Sequence, residues 1–365
     1  LQGSRKVTEK WMREKRIIRN LFAGVGILLM LAGVLQFAAR KIPGFGQWYA
    51  VTIYPWIVGI YGRICGLVPF SVVEMGLYGL VLFFVYSLLR RERKWRKMFA
   101  GVFFTAGLLA FLYTANCGVN YYRKPFSSYL DLQVGKANTE DLKALCQELV
   151  EKINETAPEG PVDMGLLAQG KLARTGKAAM EKLGEEYPAL SGCYPVPKPV
   201  MVSWILAVQQ LCGVYSPFTV EANYNWQMTG YNIPHTICHE LSHLRGFMRE
   251  DEANFIGILA CTESDDAYFR YSGYLMAWVH AGNALAKADV ESFYELHSQL
   301  CGQAVQDLQE NNEYWDQYEG KVAEVSNQVN DTYLKLNDQK DGVQSYGRVV
   351  DLMLAMFLQN RQEAQ

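Results

Sequence analysis

The sequence predicts a mainly α-helical membrane protein: a three-span helical region first, then a larger, largely helical domain with a small β edge. Three observations predict it. Three apolar, nearly uncharged runs fall within the first 119 of the 365 residues. From Asn120 onward the composition turns mixed and polar, with apolar residues at helical spacing. One short stretch, Pro217–Asn225, alternates apolar and polar residues instead.

Residues 1–20 form a basic tail and 21–119 the membrane region. Leu21–Ala39 is apolar except for Gln36, Phe70–Leu89 carries a single acid, Glu74, and Phe99–Val119 carries Asn116 and small hydroxyls. Each run has about 20 residues, the length needed to cross a bilayer core. Lys6, Lys10, Arg13, Lys15, Arg16 and Arg19 precede the first run. Arg90, Arg91, Arg93, Lys94, Arg96 and Lys97 separate the second from the third. The positive-inside rule places both clusters in the cytoplasm. Three spans then deliver residues 120–365 to the extracytoplasmic side of the cell membrane.

The stretch 47–67 is also apolar but holds Pro55 and Arg63. Counting it as a span would move the second basic cluster outside. Its Trp48, Tyr49, Tyr54, Trp56 and Tyr61 suit an interfacial or re-entrant helix on the outer side. An acid within a span is a functional suspect by default; Glu74 lies near a span end, where a wet interfacial position is expected. The first span reads as a signal anchor rather than a cleaved signal peptide, and Leu1-Gln-Gly-Ser4 as a cloning remnant.

In the domain after the spans, Asn138-Thr139 caps a helix that runs to about Ala157. A second helix is expected over Val162–Gly184, a Pro- and Gly-rich connector over Tyr187–Pro199, and an apolar helix over Met201–Leu211. Residues 265–288, 289–311, 312–336 and 347–360 read mainly as helices. In Pro217–Asn225, Phe218, Val220, Ala222 and Tyr224 alternate with polar neighbours, which is a strand pattern. Cys146, Cys193, Cys212, Cys238, Cys261 and Cys301 match no C-x-x-C zinc site. An extracytoplasmic location permits disulfides, but Cys238 and Cys261 read as small buried hydrophobes. A formal net charge of −2 gives no electrostatic footprint for nucleic acid. The partners indicated are membrane lipid and a peptide or protein substrate; nothing in the sequence sets the oligomeric state.

The chemistry sits in His239-Glu240-Leu241-Ser242-His243, an H-E-x-x-H motif that takes two of the chain's five histidines. Residues four apart lie on one helix face, so both imidazoles can reach one Zn²⁺ at roughly 2.0–2.1 Å. Glu240 is rotated about 100° around the helix, beside the metal rather than on it. A carboxylate there can take a proton from water and return it to a leaving amine. Gly246 can end the motif helix, because glycine adopts positive φ without penalty. A second helix is expected to start near Glu250. A catalytic zinc keeps three protein ligands and one open position, so the third ligand is an acid of this segment, Glu250 or Glu252.

Glu250-x-x-x-Asn254 resembles the E-x-x-x-D/N element of the gluzincin metallopeptidases. The resemblance implies Glu250 as zinc ligand and Asn254 as the group that orients a zinc-binding imidazole. Only six residues separate His243 from Glu250, far fewer than in most gluzincins. The resemblance also implies a zincin-like domain with one Zn²⁺ per chain. Its strand upstream of the motif helix, here Val220, Glu221, Ala222 and Asn223, would be an edge strand that pairs with an extended peptide. The spans, Pro217–Asn225, the H-E-x-x-H with Glu250–Phe255, and Gly342–Gly347 together make the chain similar to a bacterial membrane family, domain of unknown function 3810.

The expected function is therefore a membrane-anchored zinc metallopeptidase of extracytoplasmic substrates, with Glu240 as general base. An oxyanion donor is sought after the second helix, with Tyr271 and Tyr274 taken before Tyr268, Arg270 and His280. His235 is expected to line the cleft or cap the helix, and His280 and His297 to be plain helix residues. The alternative is a non-catalytic zinc-binding sensor, receptor or scaffold. Glu240 counts against it, because structural zinc sites are closed and need no base.

Overall fold

Apolar runs long enough to cross a bilayer fold as helices, because only a helix satisfies its own backbone in lipid. In a computed structural model, which describes residues 2–89, 95–130, 132, 134–135, 138–160, 170–336 and 348–363, the chain begins with α1 (Gln2–Lys41). A broken helix follows: α2 (Phe45–Thr52), α3 (Tyr54–Ile57), a π turn over Val58–Gly62, and α4 (Arg63–Gly66). Then come α5 (Val72–Leu89) and α6 (Trp95–Tyr113). Trp11–Lys41, Val72–Leu89 and Trp95–Tyr122 are long and apolar enough to cross a membrane. The stretch 47–67 is broken into short helical pieces, none of which reaches that length. Alpha1 packs along α6, where Phe22 meets Phe103 with ring centroids 5.8 Å apart.

The helical body contains α7 (Thr139–Thr156), α8 (Lys171–Glu186), α9 (Trp204–Ala207), α10 (Asn232–Leu244) and α11 (Glu250–Thr262). It continues with α12 (Ala267–Ala288), α13 (Val290–His297), α14 (Gly302–Asp316), α15 (Lys321–Leu336) and α16 (Arg348–Glu363). The Asn138 side chain caps α7 by accepting from Asp141 N–H at 2.7 Å. Several expected helices are shorter than predicted. Only Trp204–Ala207 of 201–211 is α-helical. The stretch 289–311 breaks between α13 and α14, and 312–336 breaks at Gly320, whose φ of +150° suits only glycine. Residues 162–169 of the predicted second helix, the 342–347 motif and Arg90–Lys94 lie outside the described residues.

Alpha10 is the centre of the body. Nearly all of its residues are buried, and it packs on α8, α11, α12 and a small sheet. That sheet has β1 (Lys198–Pro199), β2 (Gly213–Ser216) and β3 (Glu221–Tyr224) in the order β1-β3-β2. Beta1 runs parallel to β3, and β2 antiparallel with Tyr215 opposite Ala222. This corrects the predicted edge strand. Glu221, Ala222 and Asn223 form the central, fully buried strand, and Val220 precedes it in a left-handed turn with φ +55°. Both sides of β3 are already paired, so it has no free edge to offer. Among the described residues, the outer strand beside the motif helix is β2.

Glu74 is also placed differently from expectation. It is buried rather than wet, and it accepts hydrogen bonds from Met201 and Val202 N–H and from the Tyr78 hydroxyl. All eight cysteines are free thiols; the Cys238 and Cys261 sulfurs lie 3.8 Å apart between α10 and α11.

Candidate metal centre

The site is built on two helices joined by a glycine turn. Gly246, at φ +84°, ends α10. Gly246 N–H bonds to the His243 carbonyl at 2.9 Å and Phe247 N–H to the Ser242 carbonyl at 3.3 Å. This is the paired closure of a Schellman motif. The turn has a chemical consequence, because it brings the Phe247 carbonyl 2.6 Å from His243 Nδ1. A backbone carbonyl only accepts, so His243 carries its proton on Nδ1 and keeps Nε2 as a lone pair.

His239 is fixed in the same way from the other helix. Asn254 Oδ1 lies 2.9 Å from His239 Nδ1. Glu250 opens α11, and Asn254 follows one turn later on the same face. Gly257 continues that face: a Cβ there would stand 3.0 Å from His235 Nε2 and 3.2 Å from the His239 nitrogen. The missing side chain lets α11 approach α10 closely enough for Asn254 and Glu250 to reach the histidines. The spacing Glu250, Asn254, Gly257 was a readable signal for this face.

The Nε2 atoms converge on Glu250. Its Oε2 lies 3.3 Å from His239 Nε2 and its Oε1 3.8 Å from His243 Nε2. One donor atom from each of these residues falls within 4.8 Å of the others. Donors held at about 2.0–2.1 Å from one tetrahedral Zn²⁺ stand roughly 3.3–3.4 Å apart. Two imidazoles and a carboxylate are a donor set that catalytic zinc sites with one open position use, and against the pull of burial the Glu250 carboxylate facing His239 raises that imidazole to about 8. The residues therefore fit the ion.

Glu252 is not part of this cluster. Its Oε1 accepts from Phe126 N–H at 2.9 Å and lies 3.7 Å from Arg249, while burial pushes its carboxyl up to about 7. It faces the chain leaving the third span, on the other side of α11.

Glu240 stands beside the three donors without joining them. Its Oε2 is buried and has no hydrogen-bond partner among the described residues. Burial pushes its carboxyl up to about 8, with the Glu250 charge adding to the rise and His239 and the Tyr215 backbone N–H opposing it. Burial likewise pulls His243 down to about 4, holding it neutral as a metal ligand must be. Beta2 supplies the opposite wall. A Cβ on Gly213 would stand 2.5 Å from Glu240 Oε1. The sequence reading missed this glycine, whose lack of a side chain leaves room for the carboxylate.

A cleft of about 400 Å³ collects these groups, lined among others by Gly213, Tyr215, His239, Glu240, His243 and Glu250. His235 also lines it, and its Nε2 lies 3.2 Å from the Asn254 carbonyl. Tyr271 and Tyr274 do not. The Tyr271 hydroxyl donates to Asp307 at 2.5 Å, and Tyr274 sits half-buried beside Lys152 of α7. The phenols that line the cleft are Tyr121 and Tyr215. His297 stacks on Trp278 and Phe293, while His280 is half-buried near His239 and outside the cleft lining.

The family described as "Protein of unknown function (DUF3810)" matches residues 49–354, most of the chain and all of the site. The chain belongs to the DUF3810 family. No curated protein and no solved structure matches it. Within this DUF3810 chain the clearest dependence to test is that of His239 on Asn254. Asn254→Ala is expected to weaken zinc binding by about 10–100-fold, the usual effect of losing a partner that orients a ligand. Competition against a chelator of known affinity measures this; unchanged affinity would mean that Asn254 does not hold the imidazole.

Proposed function

We propose that this DUF3810 protein is a membrane-anchored zinc metallopeptidase whose catalytic cleft faces the extracytoplasmic side. The observation that carries the reading is the convergence of His239 Nε2, His243 Nε2 and Glu250, with the unpartnered Glu240 carboxylate oxygen in the same cleft. A closed structural site has no use for that fourth group.

His239, His243 and Glu250 would hold the ion. Zn²⁺ in such a site acidifies water and polarises a carbonyl oxygen. Glu240 takes the proton of the attacking water on its free Oε2 and returns it to the departing amine. Burial favours both steps, since a carboxyl raised toward neutrality gives up a proton as readily as it takes one. The Phe247 carbonyl and Asn254 hold the two imidazoles in the tautomer that leaves Nε2 unprotonated. An extended peptide laid along the outer edge of β2 would gain backbone hydrogen bonds at Gly213, next to the Tyr215 N–H that Glu240 already takes. The extracytoplasmic orientation rests on the basic residues of the N-terminal tail and of 90–97, which the positive-inside rule assigns to the cytoplasm.

Metal content tests the reading. The purified 365-residue protein is expected to hold one zinc per chain after reconstitution, as is Glu252→Gln. Glu250→Gln is expected to lose it, because a neutral amide binds zinc poorly. Elemental analysis of the three proteins decides. A wild type that takes up no zinc would overturn the peptidase reading, and loss in Glu252→Gln alone would move the third ligand.

A further inference from the structure

Two carboxylates tie the start of the second span to the segment just before the cleft. Glu221 of β3 accepts from Val72 and Val73 N–H, each at 3.1 Å, in the first turn of α5. In return Glu74 of α5 accepts from Met201 N–H at 2.8 Å and Val202 N–H at 3.0 Å. Lys198 Nζ donates to the Cys65 carbonyl at 2.6 Å. Pro195 lies against Gly62, where a Cβ would stand 2.5 Å from Pro195 Cγ. Residues 195–202 are thus held to both the broken helix and the beginning of the span.

These contacts set a depth. Glu74 is the third residue of α5. At 1.5 Å rise per residue it lies only about 3–5 Å inside that end of the helix. The Met201–Val202 backbone, bonded directly to it, shares that level. The side chains that leave this backbone are apolar and face outward: Met201 is 61 % exposed and Trp204 57 %, with Val202 and Ile205 exposed beside them. Leu206 and Ala207, next in the chain, turn inward and are buried. Alpha5 itself exposes Leu77, Leu80, Val81 and Leu82, so the segment adjoins a surface made for lipid.

We propose that Met201–Ile205 is an additional membrane contact, seated in the headgroup–acyl boundary of the bilayer that the spans cross, with Trp204 as its anchor. A Trp among aliphatic residues is the composition that boundary favours, and apolar groups there sit about 5–10 Å deep. The consequence reaches the cleft. A few residues on, Gln210–Val214 line it. The strand beside Glu240 is therefore moored to the membrane surface, and the cleft opens next to the bilayer. The lipid contact does not depend on the peptidase reading, and its test needs neither metal nor cleavage.

The 365-residue protein in lipid nanodiscs, wild type and Trp204→Phe, provides that test. The difference between their emission spectra isolates Trp204 from the other seven tryptophans. Phospholipids brominated near the carbonyl end of the acyl chain are expected to quench this difference roughly by half, and those brominated near the chain terminus less, as an interfacial depth requires. Aqueous acrylamide is expected to have little effect. Met201→Trp reads the same position independently and is expected to gain emission with the same lipid response. Quenching by acrylamide with none by bromolipid would place the segment in water. Indifference to both would mean a protein cover, and strongest quenching by the deepest bromines would mean a buried loop. Each of these three results overturns the proposal.

Discussion

Glu240→Gln is expected to lower the rate of peptide hydrolysis by about 10²–10⁴-fold, the contribution of a positioned general base, while zinc content stays at the wild-type level. That loss corresponds to roughly 3–5 kcal/mol of activation free energy. The substitution is nearly isosteric. The introduced glutamine would keep the packing against Gly213 and an oxygen toward the Tyr215 N–H, but its amide has no basic oxygen for the water's proton. None of the three convergent donors belongs to Glu240, so metal binding and catalysis separate in this variant. The assay is a peptide library incubated with zinc-loaded protein, with new termini counted by mass spectrometry. If wild type and Glu240→Gln cut equally, Glu240 is not the base. If both hold zinc and cut nothing, the sensor or scaffold alternative gains.

The parts of this site that were legible in the sequence are those that local geometry fixes. His239, Glu240 and His243 share one helix, so their mutual placement follows from its rotation per residue. The spans were legible for a similar reason, since bilayer thickness sets a run length that composition alone satisfies. The third member of the His239–His243 cluster was not decided locally. Glu250 and Glu252 both sit in the first turn of α11, about 200° apart around it. The rotation of that helix against α10 decides between them. Gly257 and Asn254 set that rotation through contacts on α10.

Residues further away were harder to place. Tyr271 and Tyr274 lie on a helix buried on several sides. Its partners, Asp307 on α14 and the α7 surface, draw both phenols away from the cleft. The alternation in Pro217–Asn225 gave a strand but not its position in the sheet. Beta3 becomes central only because the two-residue strand Lys198–Pro199, which carries no pattern of its own, pairs with it.

That pairing leads to the largest expected effect on stability. Lys198 Nζ lies 2.5 Å from Glu221 Oε1, and the two residues are only 4 % and 2 % exposed. Glu221 also accepts two backbone N–H groups from the start of α5, so one carboxylate joins the sheet to the second span. Lys198→Met keeps the apolar stem and removes the charge, leaving Glu221 buried with its amides alone. Orphaning one member of a buried pair costs about 3–5 kcal/mol; the remaining N–H bonds and the helix N-terminus place the expected loss near 3 kcal/mol. With an unfolding entropy of about 2.1 cal/mol/K per residue, a chain of 365 residues shifts by about 1.3 °C per kcal/mol, so the thermal midpoint in detergent is expected to fall by about 4 °C. The double variant Lys198→Met/Glu221→Gln is expected to recover part of that fall, because it removes the orphaned charge as well. The exposed pair Lys143–Glu295, 3.2 Å apart, provides the contrast: Lys143→Met is expected to cost under about 1 kcal/mol. Equal midpoints for Lys198→Met and Lys143→Met would show that the buried pair does not tie the span to the sheet. A double variant less stable than Lys198→Met would place the main contribution in Glu221 and its bonds to the helix start rather than in the charge pair.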